Sequence, residues 1–151
     1  MVIEYSTVNK NDELIQILSL QQQNIRHKNS FEEEQEQGFV TVRHDFELLQ
    51  KMNEIIPHVV AKDIDKVIGY ALVMSKHFKH QIPELQSMFD RLDTLIIHGK
   101  KLGTENFIVM GQICIDKDYR GKGIFQGLYK HYFDLYKPIY KYIITEVAER
   151  N

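Results

Sequence analysis

The stretch DYRGKGIFQGLY, residues 118–129, is the most informative part of the chain for predicting its fold. Immediately before it, NFIVMGQICI (106–115) is too rich in apolar residues to have one solvated face, so it predicts a buried strand. KGIFQGLYKHYFDLY (122–136) has apolar residues at helical spacing, with Pro138 beyond its end, so it predicts a helix. The stretch is therefore expected to be a tight turn that leads from a strand into a helix.

Two basic residues alternate with two glycines in this turn: Arg120, Gly121, Lys122 and Gly123. The N–H groups of a helix's first turn point outward and carry the positive end of the helix dipole. Glycines let the backbone come close to a ligand and adopt otherwise strained angles. This combination predicts an anion site suited to a phosphate or pyrophosphate. The alternative is a tight turn whose basic side chains are merely solvated.

The two familiar nucleotide motifs do not fit the turn. A nucleotide P-loop needs a Ser or Thr hydroxyl for magnesium after its Gly-Lys pair, and Gly123 is followed by Ile124. The dinucleotide motif needs a glycine where this chain has Gln126. A different phosphate-bearing ligand is therefore expected.

The segment ICIDKDYRGKGIF (113–125) resembles the acetyl-coenzyme A site of the GNAT N-acetyltransferases, a strand-loop-helix unit with the pattern Arg/Gln-x-x-Gly-x-Gly/Ala. Arg120 and Gly123 occupy the first two defined positions of that pattern. Phe125 stands where the family usually has glycine or alanine, and Lys117 stands where many members have proline. The resemblance implies an N-acetyltransferase that moves acetyl from acetyl-CoA, its cosubstrate, to a primary amine of a small molecule or peptide.

The same resemblance implies which residues bind acetyl-CoA. In the family, backbone N–H groups of the long strand, here near Ile113 to Ile115, hold the oxyanion of the intermediate, and the pantetheine arm pairs with that backbone. The implied cofactor-binding residues are Ile113, Cys114, Ile115, Arg120, Gly121, Lys122, Gly123, Ile124, Phe125 and Asn151.

Strands alternate with helices around a hairpin, which predicts a mixed α/β (α+β) class with a central sheet. The resemblance narrows this to a mixed, mostly antiparallel sheet flanked by helices. In the family a further helix and two strands follow the Arg-Asn pair at which this chain stops. We therefore expect a single domain, residues 1–151, that lacks those elements. Its uncovered last strand predicts self-association, most simply as a homodimer.

The remaining elements follow from local patterns. Strands are predicted at 2–8, 58–62, 66–74 and 140–147, the second and third being joined by a hairpin turn at DIDK. Helices are predicted at 9–25, at 45–56 with Asp45 as its cap, and at 84–96. Within the helix at 122–136, the buried face is expected to include Ile124, Leu128 and Phe133. The polar segment 26–39 predicts a helix-loop region that exchanges its amide hydrogens quickly.

No general base is evident in the sequence. The long strand has no carboxylate, so Glu146, near the end of the last strand, is the nearest candidate, with a water chain as the alternative proton acceptor. Tyr129 has a phenol on the helix after the turn, and packing is its simpler role. Cys114 suggests covalent catalysis, but without an obvious histidine partner it is better interpreted as a small buried residue. A non-catalytic CoA-binding or assembly module therefore stays open beside the enzyme.

The composition of the chain limits which other classes of function are expected. The chain has 151 residues, a net charge of -2 and a single cysteine, which is ordinary for a globular domain and gives no basic face for nucleic acid. The sequence shows neither a signal peptide nor an apolar run long enough to cross a bilayer, so a cytoplasmic location without membrane attachment is expected. His77 and His80 form an HxxH without further ligands at a defined spacing, so no metal is expected.

Overall fold

The computed structural model describes residues 2–27, 45–78, 81, 83 and 86–145, with the side chains of 25–27 excepted. Its helices are α1 Asn11–His27, α2 Phe46–Ile55, α3 Gln86–Thr94 and α4 Ile124–Tyr136. Its strands are β1 Ile3–Thr7, β2 Val59–Asp63, β3 Lys66–Ser75, β4 Ile96–Ile97, β5 Lys100–Lys101, β6 Phe107–Ile115 and β7 Tyr142–Thr145. Three short 3₁₀ turns lie at Lys76–Phe78, Leu102–Thr104 and Lys117–Tyr119.

Five strands form the central sheet, in the order β1-β2-β3-β6-β7. The first three pairings are antiparallel and the pairing of β6 with β7 is parallel. The predicted mixed, mostly antiparallel sheet flanked by helices is therefore confirmed. The turn between β2 and β3 comprises Ile64 and Asp65, as the predicted hairpin requires.

Helices cover both faces of the sheet. On one face, α1, α2 and α3 each contribute a fully buried side chain, Leu14, Leu49 and Phe89 respectively. On the other face, α4 packs Ile124 and Leu128 against the sheet. Because residues of β6 alternate between the two faces, the strand is buried on both sides, as its continuous apolar sequence predicts.

The helix predicted at 84–96 extends too far. In the structure α3 ends at Thr94, and Ile96–Ile97 pairs with Lys100–Lys101 in a small hairpin. The two residues between these strands, His98 and Gly99, have φ of 52° and 79°. Positive φ at both central positions is what a tight two-residue hairpin turn requires, so Gly99 marks a hairpin here.

The prediction for the buried face of α4 is also partly wrong. Ile124 and Leu128 are buried, but Phe133 is 38% exposed. The face continues instead through Tyr132 and Tyr136, each four residues after the preceding buried one. Burying tyrosine requires partners for its hydroxyl, and Tyr136 has one in the Pro57 carbonyl.

Several local predictions are matched closely. Asp45 begins α2 as its N-cap, with its Oδ1 accepting a hydrogen bond from the Leu48 N–H at 2.7 Å. The predicted helix at 9–25 corresponds to α1, and the predicted last strand is β7. Residues 28–44 lie outside the described residues, and with them most of the polar segment predicted at 26–39.

Candidate functional site

The site begins on β6, whose first part pairs with the described residues of β7. Among the described residues, Phe107–Met110 pairs with Tyr142–Thr145, and Gly111–Ile115 extends beyond the last paired position. The Asp116 N–H donates to the Ile68 carbonyl at 2.8 Å, toward β3. Because backbone groups alternate along a strand, those of Ile113 and Ile115 point away from β3. This half of β6 therefore presents amide groups on the side where β7 ends.

The turn after β6 is built by its own side chains and glycines. Asp116 Oδ1 accepts a hydrogen bond from the Asp118 N–H at 2.9 Å, which starts the short 3₁₀ turn. Gly121 and Gly123 both have φ of 77°, and a Cβ on either would meet nothing within 4 Å. Glycine is thus required here by backbone conformation rather than by packing. Gly123 is the N-cap of α4, and no side chain caps that helix.

Arg120 extends from this turn toward α1. Its Nη2 donates to Asn24 Oδ1 at 2.7 Å, and its Nε donates to the Ile115 carbonyl at 3.4 Å. Both acceptors are neutral, and within the described part of the chain no carboxylate lies within 4.0 Å of the guanidinium. Among the described residues, the positive charge of Arg120 is therefore held in place without a paired carboxylate. Asn24 was not predicted from the sequence.

These parts enclose one cavity of about 850 Å³ between β6, the turn and the ends of α1 and α4. Its lining residues are Asn24, Ile113, Cys114, Ile115, Tyr119, Arg120, Gly121, Gly123, Ile124, Phe125 and Gln126. The structure thus brings together nearly all the residues that the sequence assigned to acetyl-CoA. Lys122 does not line the cavity, and Asn151 lies outside the described residues.

The sequence profile of the Acetyltransferase (GNAT) family matches residues 14–151, which is most of the chain. The chain belongs to the GNAT acetyltransferase family. The family's defining strand, turn and helix correspond to β6, the Arg120 turn and α4. A search of curated protein sequences finds no match.

Solved structures share the fold at low sequence identity. One of them is an aminoglycoside acetyltransferase, meta-AAC0020, from an uncultured soil metagenomic sample, in complex with sisomicin. It has a TM-score of 0.59 at 15% identity, and the match covers 99% of this chain and 78% of that chain. A ribosomal-protein-alanine N-acetyltransferase from Brucella melitensis biovar Abortus 2308 has a TM-score of 0.55 at 11% identity, covering 98% and 82%. A predicted acetyltransferase from Clostridium acetobutylicum, solved with acetyl-CoA, has a TM-score of 0.58 at 10% identity, covering 99% and 83%. At these identities the likeness concerns the fold alone.

Tyr119 forms one wall of the GNAT cavity. Contacts to its hydroxyl and to its ring hold the side chain in place. The hydroxyl donates to Asp63 Oδ2 at 2.6 Å, and this hydrogen bond raises the pKa of Tyr119. The ammonium groups of Lys66 and Lys122 lie 5.7 and 5.5 Å from the ring centroid. Lys122 therefore adds positive charge beside the cavity without lining it.

A buried polar cluster lies behind Cys114, which is 7% exposed. Tyr70 lies opposite Cys114 on β3 and contacts its thiol. The Tyr70 hydroxyl donates a hydrogen bond to Gln112 Oε1. Gln21 of α1 donates to the same oxygen at 2.7 Å. Burial raises the pKa of Tyr70 well above its usual value, so its hydroxyl is a neutral donor rather than a base that could take the thiol proton. The surroundings favour the interpretation of Cys114 as a small buried residue.

Glu146 and Tyr129 are the remaining residues that the sequence analysis considered for catalysis. Glu146 is outside the described residues, so its role as general base stays a prediction. Tyr129 stands in an aromatic row on α4, with its ring centroid 4.8 Å from Phe125 and 5.8 Å from Phe133, which is a packing arrangement.

The described residues also bear on metal binding and on membrane insertion. Over the described residues, no three His, Cys, Asp or Glu side chains are grouped as a metal ion requires, and His80 of the HxxH pair is not among them. None of the helices in the described ranges is both long and apolar enough to traverse a bilayer.

Proposed function

We propose that this GNAT domain transfers an acetyl group from acetyl-CoA to a primary amine of an acceptor molecule. The observation that carries the proposal is the cavity itself. At one end Arg120 lies beside a helix N-terminus that no side chain caps, and no described carboxylate pairs with it; at the other end the lining comes from strand β6. Acetyl-CoA has the matching chemistry, since a pyrophosphate is followed by an extended arm with two amides.

The positive end of the cavity would take the pyrophosphate. Gly121 and Gly123 have positive φ in the turn before α4, the first residues of that helix line the cavity, and Arg120 adds a full charge. A charge-assisted hydrogen bond from guanidinium to phosphate is about twice as strong as a neutral one. Phosphate binding here needs no divalent metal, because the positive groups belong to the chain.

The exposed half of β6 would take the pantetheine arm and the thioester. The backbone groups of Ile113 and Ile115 are directed away from β3, so an extended amide chain can pair with them like a short extra strand. The same N–H groups are donors for the oxyanion that forms when the thioester carbonyl is attacked. This is the role that the family resemblance implies for Ile113–Ile115.

The chemistry that follows is a direct displacement. The neutral amine forms a C–N bond to the acetyl carbon, and the C–S bond then breaks to release the CoA thiolate. One proton leaves the amine nitrogen and one is needed by the thiolate, so the overall products are an amide and free CoA thiol. Glu146, or a water chain leading from the acceptor, would remove the amine proton.

The acceptor is an amine of a small molecule or peptide. Fold neighbours include an aminoglycoside acetyltransferase and a ribosomal-protein-alanine acetyltransferase, which differ greatly in the acceptors they are named for. Their shared feature is an amino group that must be neutral to attack. A homodimer and a cytoplasmic location stay predictions from the sequence alone.

One observation favours a second function, a CoA-binding or assembly module without catalysis. No carboxylate is present among the described residues that line the cavity. To separate the two functions, the protein is incubated with acetyl-CoA and a panel of primary amines, and free thiol is followed together with the mass of each amine. Amine-dependent thiol release, with the amine gaining one acetyl group in place of one hydrogen, supports the transferase. Tight acetyl-CoA binding without turnover on any amine supports the module.

The glycines of the turn provide the sharpest test of the binding site. Replacing Gly121 and Gly123 together with leucine should abolish acetyl-CoA binding measured by calorimetry, because both positions need positive φ and lie where the ligand backbone contacts are made. Gly99→Leu is a matched control. Gly99 also has a positive φ (79°), and a Cβ added there would meet nothing within 4 Å, but the residue lies in the β4–β5 turn. Unchanged affinity in the double variant would overturn the assignment.

A further inference from the structure

The amide of Asn24 is fixed in one orientation by two partners of opposite kind. Its Nδ2 donates to the Leu20 carbonyl, one turn earlier in α1, at 3.0 Å. Its Oδ1 accepts from Arg120 Nη2 at 2.7 Å, across the cavity. With the nitrogen committed to a carbonyl and the oxygen to a guanidinium, the amide cannot be exchanged end for end without losing both bonds. Asn24 is 6% exposed and Arg120 is exposed, so this contact is shielded from water on the Asn24 side.

The part of α1 that carries Asn24 is itself anchored to β6. Gln21, three residues earlier and so on the same side of the helix, donates to Gln112 of β6 at 2.7 Å. Both Gln21 and Gln112 are nearly inaccessible to water, at 2% and 1% exposed. Asn24 is therefore a rigid support for the Arg120 side chain, whereas the turn that bears Arg120 is exposed.

We propose that Asn24 is a positioning residue for acetyl-CoA, which holds the Arg120 guanidinium over the cavity while leaving its charge available to the pyrophosphate. This inference rests on the proposed function. An arginine that is free in solvent loses rotamer freedom when it binds a phosphate, and a support that is already formed removes part of that cost. The neutral amide matters because a carboxylate at the same place would pair with the guanidinium and cancel the charge that attracts the ligand.

Two substitutions separate position from charge. Asn24→Asp keeps an oxygen acceptor of the same size for Arg120 and adds the cancelling charge. Asn24→Leu keeps the branching of the side chain, although it is bulkier, and removes the acceptor, so Arg120 keeps its charge and loses its support. We expect acetyl-CoA affinity to fall about tenfold in Asn24→Leu and further in Asn24→Asp, given the usual strength of hydrogen bonds to charged groups. In turnover, KM for acetyl-CoA should rise while kcat and the KM for the amine stay close to wild type.

A purely structural role for Asn24 would give a different result. The two substitutions are therefore repeated in an Arg120→Gln background, where the positioning hypothesis predicts that neither costs further affinity. Losses of equal size in both backgrounds, or an Asn24→Asp variant that binds acetyl-CoA as tightly as wild type, would overturn it. Thermal unfolding of each variant shows that binding is measured on folded protein.

The same variants distinguish this inference from the proposed function. If wild type does not bind acetyl-CoA, the proposed function fails, and the inference is then tested with inorganic pyrophosphate as the probe. Weaker pyrophosphate binding by Asn24→Asp than by Asn24→Leu, with no difference in the Arg120→Gln background, supports the positioning role. Equal binding by all variants overturns it.

Discussion

At the scale of single residues, Gly127 shows how one missing side chain sets the position of a helix. Gly127 lies in the second turn of α4, directly beneath the Tyr5 ring of β1. A Cβ on Gly127 would lie 2.8 Å from Tyr5 Cε1 and even closer to the end of the ring. The absent side chain therefore lets β1 approach α4, whose first turn forms one end of the cavity.

Gly127→Ala should destabilise the protein by about 1–3 kcal/mol, the usual cost of an overpacked contact. In a Tyr5→Ala background the obstruction is gone, and the same substitution should be neutral or stabilising by up to about 1 kcal/mol, because alanine favours helix over glycine. Urea unfolding of the four variants measures both values. An equal cost in the two backgrounds would show that Tyr5 is not the cause.

At the scale of elements, one side chain both caps α1 and joins it to the sheet. Glu13 Oε1 accepts hydrogen bonds from the N–H groups of Asn9 and Lys10 at 3.0 and 3.1 Å. Its Oε2 lies 2.9 Å from the ammonium of Lys62 on β2. Because α1 also supplies Asn24, this anchor helps to fix one wall of the cavity.

The Glu13 contacts predict a specific dependence of stability on pH. Burial acts to raise the pKa of Glu13, but the hydrogen bonds from Lys62 and the two N–H groups outweigh it and hold the pKa below its ordinary value of 4.5. A group whose pKa is lowered by folding stabilises the protein above its unfolded value and loses that contribution as the pH falls through its folded value. Glu13→Gln should therefore be less stable than wild type at pH 7.

The difference between Glu13→Gln and wild type should shrink as the pH falls below about 4.5, because wild type then becomes protonated as well. Urea unfolding from pH 7 to pH 3 measures it. Glu47→Gln is the control, since Glu47 is exposed in the first turn of α2. A difference for Glu13→Gln that is constant over the whole range would show that its charge is not responsible.

At the scale of the whole molecule, the cavity is lined by residues from elements on both faces of the sheet. Its walls come from α1 on one face, α4 on the other and β6 between them. A ligand bound there contacts elements of both layers at once. Binding should therefore stabilise the folded chain as a unit, by about 2.7 kcal/mol at a ligand concentration of 100 times Kd.

Acetyl-CoA should slow amide hydrogen exchange most strongly in residues 111–126, because the ligand would pair with the exposed half of β6 and cover the turn. Strands β1 and β2 should change little beyond the effect of overall stabilisation, since their amides are already paired with each other and with β3. Exchange measured by mass spectrometry with and without ligand tests this. Equal slowing in all strands, or none at 111–126, would contradict the proposed location.

Local patterns were sufficient for β6, the Arg120 turn, α4 and the Asp45 cap, because each is encoded over a few consecutive residues by apolar spacing, required φ angles and first-turn chemistry. The β4–β5 hairpin was missed although its His98-Gly99 turn is a local signal, since the apolar residues before it also fit a helix. Tyr132 and Tyr136, rather than Phe133, continue the four-residue spacing of Ile124 and Leu128, so the spacing already indicated them as the buried rings. Which group accepts from the buried Tyr136 hydroxyl, the Pro57 carbonyl, is not visible in that spacing.

The support for the key arginine belongs to the tertiary structure alone. Asn24 and Arg120 are 96 positions apart, and nothing in the polar run around Asn24 distinguishes it from its neighbours. Their contact arises because α1 packs on β6 through Gln21 and Gln112, which brings the end of that helix to the turn. The parallel pairing of β6 with β7 is decided in the same way, since register depends on which strands meet after the helices have packed. The amino-acid order determined the glycine-rich turn, and the packing of distant elements made it one side of a cavity.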